Sequence, residues 1–312
     1  MILVTGGTGF VGMNLLCHLT KFSTKIVALY RKNNIHIVKK FFHNNGKENY
    51  YNRIIWRKSD LENITTLDDA FEGITHVYHC AGYISFKKSN SKKLFDANYK
   101  ATSNIVNFCI NKKIKKLAYV SSIASLGEDE SNYIYNDKKR TSYSYSKYLA
   151  EIEVLRGIEE GLPSVIINPG IIWGKCTRNS PQSKFEEMLE GFFCFYTKGK
   201  SGFVDILDVV ELLIALMNSS ISNERFVLVS ENISYYSVLK RIKEKSHLKV
   251  FLLPLAKFWV YVLWVFDNLF SFLKFKNKTI SFAFIKSIYS TKEYNGNKII
   301  RFFPNFRYRK IF

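Results

Sequence analysis

Tyr143 and Lys147 stand four residues apart in YSYSKYLAEIEVLRGIEEG (143–161), a stretch with helical patterning that Gly161 and Pro163 terminate. On a helix the two project about 40° apart on one face, whereas Tyr145 points away from Lys147. Such a pair suits proton transfer. A tyrosine hydroxyl ionises near pH ~10, and an adjacent ammonium favours the phenolate, so Lys147 is expected to lower the Tyr143 pKa toward neutrality. The same spacing also occurs in helices that do no chemistry, so its meaning depends on what surrounds it.

Two stretches supply that context. The strand KLAYV (116–120) runs into Ser121-Ser122, and hydroxyls at the carboxyl end of a central parallel strand sit where open α/β sheets bind ligands. At the N-terminus, MILVTGGTGFVG combines a short apolar strand, a glycine turn at TGxxGxxG spacing and the start of an apolar helical pattern. Gly6 allows the sharp turn, Gly9 leaves the backbone N–H groups open to a pyrophosphate, and Gly12 allows close packing of helix on strand. The positive end of the new helix then faces the phosphates, with Thr8 and Phe10 in the same cofactor-facing stretch.

The rest of a dinucleotide cleft can be traced along the chain. KIVALY (25–30) ends without the acid that accepts hydrogen bonds from an NAD ribose, and Arg31-Lys32 follow. Arg31 could pair with a 2′-phosphate, which favours NADP(H) with NAD(H) as the alternative; surface charge at a strand end is the plainer reading. Asp60 follows a third strand, placed either to accept from the adenine amino group or to cap a helix. The strand THVYHCAG (75–82) ends in Ala81 and Gly82, small enough for close backbone approach. SVIINPG (164–170) is another buried strand with Pro169 at its mouth.

These alternations of strand and helix give an α/β class: a doubly wound parallel sheet of Rossmann type with a smaller C-terminal substrate-binding part. Residues 1–174 form the dinucleotide-binding domain, and 175–312 mainly the substrate-binding part, with 202–230 returning to the core. The 312 residues are 47% hydrophobic and 16% aromatic, enough for a sizeable core. A strand starting at Met1 leaves no room for a secretory signal, so the expected compartment is the cytoplasm. Cys17, Cys80, Cys109, Cys176 and Cys194 are odd in number and widely spaced, which supports neither a disulfide framework nor a metal site.

The formal net charge is +20. The clusters KKSNSKK (87–93), NKKIKK (111–116) and NDKKR (136–140) fall at loops and helix ends rather than along one stripe, so they read as solvated surface and not as a nucleic-acid site. Residues 251–273 are unusually aromatic, but the uncharged run 258–266 is too short to span a bilayer. A buried or lid helix and peripheral membrane contact through 258–266 both fit. The basic, aromatic tail from Lys292 has no evident role, and a homodimer is compatible with a sequence that leaves the oligomeric state open.

In order along the chain, TGGTGFVG (5–12), VYHCAG (77–82), NYKAT (98–102), VSSIASLG (120–127), YSYSK (143–147), NPGIIWG (168–174) and GFVDILDVV (202–210) resemble an extended short-chain dehydrogenase/reductase of the NAD-dependent epimerase/dehydratase superfamily. The resemblance runs from Met1 to about Arg309 and is nearest to dihydroflavonol reductase-like and hydroxysteroid dehydrogenase-like members. It implies that Ser122, five before Gly127, binds the substrate oxygen, that Tyr143 transfers the proton, and that Lys147 holds the nicotinamide ribose. Asn98 would shape the site beside the cofactor. Gly82 stands where alanine is more usual and Ala101 where glycine is, and both remain small. Sugar 4,6-dehydratases resembling this chain carry an Asp-Glu pair after the hydroxyl; Ile123-Ala124 here disfavour elimination. The function implied is hydride transfer between NAD(P)(H) and a small hydrophobic ketone or secondary alcohol, with a nucleotide-sugar epimerase as the alternative and a non-catalytic, membrane-peripheral nucleotide-binding scaffold as the third reading.

Overall fold

Short unbroken apolar runs favour parallel strands buried on both faces, and the N-terminal two-thirds of the chain is built from them. The computed structural model describes residues 1–22, 25–126, 140–174, 180–272 and 281–312, with 269–272 as backbone alone. Gly127, Cys176 and the basic cluster at 136–139 lie outside the described residues. The strands among them are β1 (Ile2–Thr5), β2 (Ile26–Tyr30), β3 (Ile54–Lys58), β4 (His76–His79), β5 (Lys116–Val120), β6 (Ser164–Pro169), β7 (Ile171–Trp173), β8 (Phe193–Tyr196), β9 (Lys200–Asp205), β10 (Glu224–Leu228), β11 (Glu231–Ser234) and β12 (Phe251–Pro254).

Seven of them form one parallel sheet in the order β10-β6-β5-β4-β1-β2-β3. Ile2 is in register with Ile26 of β2 on one side and His76 of β4 on the other, so the strand order reverses at β1. Such a reversal opens a crevice beyond the carboxyl ends of β1 and β4, the place where doubly wound sheets take ligands. Alternation along the strands separates two cores. Val4, Ile26, Ala28, Tyr78, Ala118 and Ile167 face the helices Phe10–Leu19 and Ile206–Asn218, while Leu3, Val27, Val77, Leu117, Tyr119 and Ile166 face Ala101–Asn111 and Ser142–Glu159.

The C-terminal part carries two small sheets, β11-β9-β7 and β12-β8, packed around Trp173, Phe203 and Val238. Two of its segments belong to the large core. β10 closes the edge of the seven-stranded sheet beside β6, and the tail returns to the Ile206–Asn218 helix. Ile299 is buried against that core with Phe303 and Phe306 packed on it, and the Arg309 guanidinium pairs with the buried Asp208 and with Glu211. The tail that the sequence left without a role is thus a strap over the first core.

The turn after β1 is where glycine is demanded rather than tolerated. Gly6 adopts φ +66°, and a Cβ there would lie 2.7 Å from the Ala81 backbone; one on Gly12 would lie 2.2 Å from the Gly6 carbonyl oxygen. Overpacking of this kind costs about 1–3 kcal/mol. Gly12→Ala is therefore expected to lower the unfolding free energy by about that amount in urea titrations followed by circular dichroism. Unchanged stability would show that the turn can yield.

Candidate active site

The first component is the cradle at the switch point. Gly9 N donates to the Gly6 carbonyl at 2.9 Å, closing the turn, and Thr5 Oγ1 accepts from Ala81 N at 3.3 Å, tying the ends of β1 and β4 together. Gly9 stands at the N-terminus of the Phe10–Leu19 helix, which has no side-chain cap and no acid in its first turn. Unfilled N–H groups at the positive end of a helix, with no side chain or carboxylate in front of them, fit a diphosphate. Thr8 and Phe10 are half-buried beside the exposed Gly9, while Gly12 is buried beneath. A Cβ on Gly174 would lie 3.6 Å from Phe10 Cζ, so the segment after β7 passes close to this lip. The residues present accordingly fit a dinucleotide.

At the carboxyl ends of β2 and β3 the structure brings Arg31 and Asp60 together. Arg31 is exposed and donates to Glu62 Oε1 at 3.2 Å, with Asp60 Oδ1 at 3.9 Å; Lys32 is exposed beside it. Asp60 Oδ1 accepts from Glu62 N at 3.2 Å, so its carboxylate shapes the local turn. Glu62 was not singled out in the sequence, although its place two residues after Asp60 was the available signal.

The second component is assembled by the Ser142–Glu159 helix. Thr141 caps it, its Oγ1 accepting from Ser144 N at 3.0 Å, which sets Tyr143 in the first turn. The Ser122 side chain lies next to Tyr143; burial raises the Tyr143 pKa and the Ser122 hydroxyl opposes the rise. This corrects the expectation that Lys147 lowers it. The Lys147 ammonium is instead directed at Tyr119 OH and the Val120 carbonyl, both at 2.9 Å, and lies 4.6 Å above the Tyr119 ring. Burial pulls the Lys147 pKa down to about 8, with the Glu151 carboxylate, one turn along, pulling the other way. Tyr143 is therefore held protonated at neutral pH, and Lys147 is a cation on the edge of deprotonation.

Three buried polar residues missed in the sequence surround this cation. Tyr119 stacks on His79 at 5.4 Å, and His79 bridges Thr5 Oγ1 at 2.7 Å and Thr102 Oγ1 at 2.9 Å. Burial and the nearby Lys147 push the His79 imidazole down to about 3, so it is neutral. Glu151 is fully buried: Ser121, Ser125 and Asn168 donate to its Oε2 at 2.6–2.7 Å and Arg225 approaches its Oε1 at 3.3 Å. The serine pair is thereby divided, Ser121 serving Glu151 and Ser122 facing Tyr143. Pro169, after Asn168, is buried at the end of β6 opposite Leu228 of β10. YxxxKxxxE, with Glu151 four beyond Lys147 on the same helix face, was the readable signal for the acid.

Asn98 acts indirectly. It lies in a π-helical stretch, Phe95–Lys100, and is buried. Its Oδ1 accepts from Tyr83 N at 2.7 Å, while Nδ2 donates to the Tyr83 carbonyl at 2.9 Å and to Ser146 Oγ at 2.8 Å. It clamps the segment after β4 to the Ser142–Glu159 helix. In that segment a Cβ on Gly82 would sit 3.9 Å from Lys147 Nζ. The mouth above Tyr143 is aromatic: Phe86 meets the Tyr143 ring edge-on at 5.8 Å, and Phe284 packs on Phe86 at 5.3 Å. Nothing in the local sequence joins Phe284 to Tyr143.

Comparison with known proteins agrees with this architecture. The NAD dependent epimerase/dehydratase family model matches residues 2–228. A putative dihydroflavonol 4-reductase of Synechocystis sp. is 28% identical over 277 residues, covering 82% of this chain and 77% of its own. Sterol demethylase protein B of Methylococcus capsulatus is 25% identical over 250 residues, covering 78% and 73%. Among solved structures, the Thermus thermophilus UDP-glucose 4-epimerase in complex with NAD superposes with a TM-score of 0.63 at 20% identity, covering 81% of this chain and 86% of that one. The chain belongs to the NAD dependent epimerase/dehydratase family, whose members are reductases and epimerases of the extended short-chain type.

Proposed function

We propose that the protein reduces a hydrophobic ketone to a secondary alcohol at the expense of NADPH, the reverse oxidation being the same chemistry run backward. The observation that carries this reading is the placement of the buried Tyr143 hydroxyl next to Ser122, beneath the apolar cover of Phe86 and Phe284. When bound, the nicotinamide supplies the hydride. Ser122 holds the substrate oxygen, and Tyr143 delivers the proton to it as the C–O double bond becomes single. The Lys147 N–H left after Tyr119 and Val120 binds the nicotinamide ribose, and Gly82 keeps the approach to that ammonium open. Gly6, Thr8, Gly9, Phe10 and Gly12 hold the diphosphate, and Ala81 and Pro169 bound the cleft. A nucleotide-sugar epimerase is disfavoured by the aromatic mouth.

The exposed ion pair between Arg31 and Glu62 is worth about 0.2–1 kcal/mol, so a dianionic 2′-phosphate can draw Arg31 away from it. NADP(H) is accordingly preferred over NAD(H). Arg31→Ala is expected to raise the KM for NADPH about tenfold and leave that for NADH nearly unchanged. Equal effects on both would remove Arg31 from phosphate recognition.

Turnover is tested by screening ketones, aldehydes and nucleotide-sugars for loss of NADPH absorbance. On any substrate found, Tyr143→Phe is expected to lower kcat by about 10²–10⁴-fold. Full activity of that variant, or failure of the wild type to bind either cofactor, would end this reading. The pH profile follows from Lys147. The reductive kcat/KM should be flat in the neutral range and fall above about 8 as the ammonium is lost. Lys147→Arg, slower but permanently charged, should lose that alkaline limb. An unchanged limb would assign it to another group.

A further inference from the structure

The long aromatic helix inverts the usual distribution of a surface helix. Along Lys257–Phe272 the only acid, Asp267, is buried, whereas Phe258, Trp259, Leu263 and Phe266 are each more than half exposed. These four recur at spacings of one, four and three and so share one face. The preceding ribbon repeats the pattern. In β8 and β12, Phe193 is in register with Phe251 and Phe195 with Leu253; all four are exposed, while Cys194 between them is buried. Leu255 N donates to the Tyr196 carbonyl at 2.8 Å, so ribbon and helix are contiguous. Apolar surface on this scale marks a docking face.

Charge selects the occupant. From 245 to 292 the sequence carries eight lysines and a single acid, the buried Asp267; the exposed Glu187 and Glu190 lie before β8, so the positive excess belongs to β12 and the helix, where Lys249 and Lys257 are exposed beside Phe251 and Phe258. Two copies of such a face would bring like charges together, which opposes a symmetric dimer. An anionic lipid surface satisfies both features, taking the rings into its headgroup–acyl boundary and the lysines against its phosphates.

The same helix leads back to the site. Phe282 packs on Tyr261 and Trp264 at 5.9 and 6.1 Å, while Phe284, two residues on and therefore on the other side of the Phe282–Ile288 helix, packs on Phe86 above Tyr143. That short helix is a wedge between the exposed face and the site mouth. We infer that the β8–β12 ribbon and the Lys257–Phe272 helix dock the protein on an anionic bilayer, with the mouth above Tyr143 beside it, so that the substrate is a lipid-soluble carbonyl compound drawn from the membrane. The substrate part rests on the reductase reading; the docking part does not.

The test is cosedimentation of the full chain with phosphatidylglycerol and with phosphatidylcholine vesicles, alongside light scattering and NADPH-fluorescence titration. The wild type is expected to pellet with phosphatidylglycerol vesicles, less so as salt rises, and to bind phosphatidylcholine weakly. Phe258→Ser/Leu263→Ser/Phe266→Ser should abolish pelleting while NADPH binding persists. Lys249→Glu/Lys257→Glu, which leaves every ring in place, should weaken phosphatidylglycerol binding at least about tenfold. Wild-type protein that stays in the supernatant, pelleting retained by both variants, or a wild-type dimer that the triple serine variant turns into a monomer would each overturn docking. Loss of NADPH binding by the wild type would instead overturn the reductase reading and leave docking standing.

Discussion

A buried ammonium has to be surrounded by acceptors or it gives up its proton, and the candidate site is arranged around that requirement at Lys147. Its acceptors, Tyr119 OH and the Val120 carbonyl, come from the last two residues of β5, so the cation fixes the Ser142–Glu159 helix against the strand whose next residues are Ser121 and Ser122. Glu151, on the same helix, supports the charge and gathers Ser121 and Ser125, which follow β5, and Asn168 of β6. Remove the charge and the reason for those strand ends to meet the helix in this register weakens. The geometry of Ser122 and Tyr143 depends on a lysine whose own hydrogen bonds go to Tyr119 and Val120.

The division of labour has a chemical consequence. A lysine placed to stabilise a phenolate would favour a base at Tyr143; a lysine occupied by Tyr119 leaves burial and the Ser122 hydroxyl to set its ionisation, and burial wins. A protonated phenol is the form needed to complete reduction of a carbonyl. The neutral His79, sealed between Thr5 and Thr102, adds no competing charge.

Much of this was legible in the sequence because it rests on local rules. Glycine spacing after a buried strand, apolar runs bounded by turns, and a tyrosine four residues before a lysine each report on neighbours a few residues away, and with them a doubly wound parallel sheet could be named. What was not legible depends on distance along the chain. The Lys147–Tyr119 bond, which engages the ammonium expected at Tyr143, joins a helix to a preceding strand. Arg225 reaches Glu151 from β10, Arg309 straps the tail to Asp208, and Phe284 roofs Tyr143. Asn98 could be placed near the cofactor by resemblance, but its work as a clamp on Tyr83 and Ser146 appears only when the π-helical stretch is seen.

The aromatic C-terminal segment shows why composition alone was ambiguous. A run such as 258–266 reads equally well as a core helix or a surface one, since periodicity reports which residues share a face but not what that face meets. The decisive fact is the inward position of Asp267. A helix that buries its one carboxylate and exposes Phe258, Trp259 and Phe266 leaves about 1.5–3 kcal/mol of transfer free energy per ring to be gained by burial against an apolar neighbour. The demand for an apolar neighbour is thus set by the orientation of the helix. The same orientation turns Tyr261 and Trp264 inward onto Phe282, so whatever covers the outer face stands one short helix away from the mouth above Tyr143.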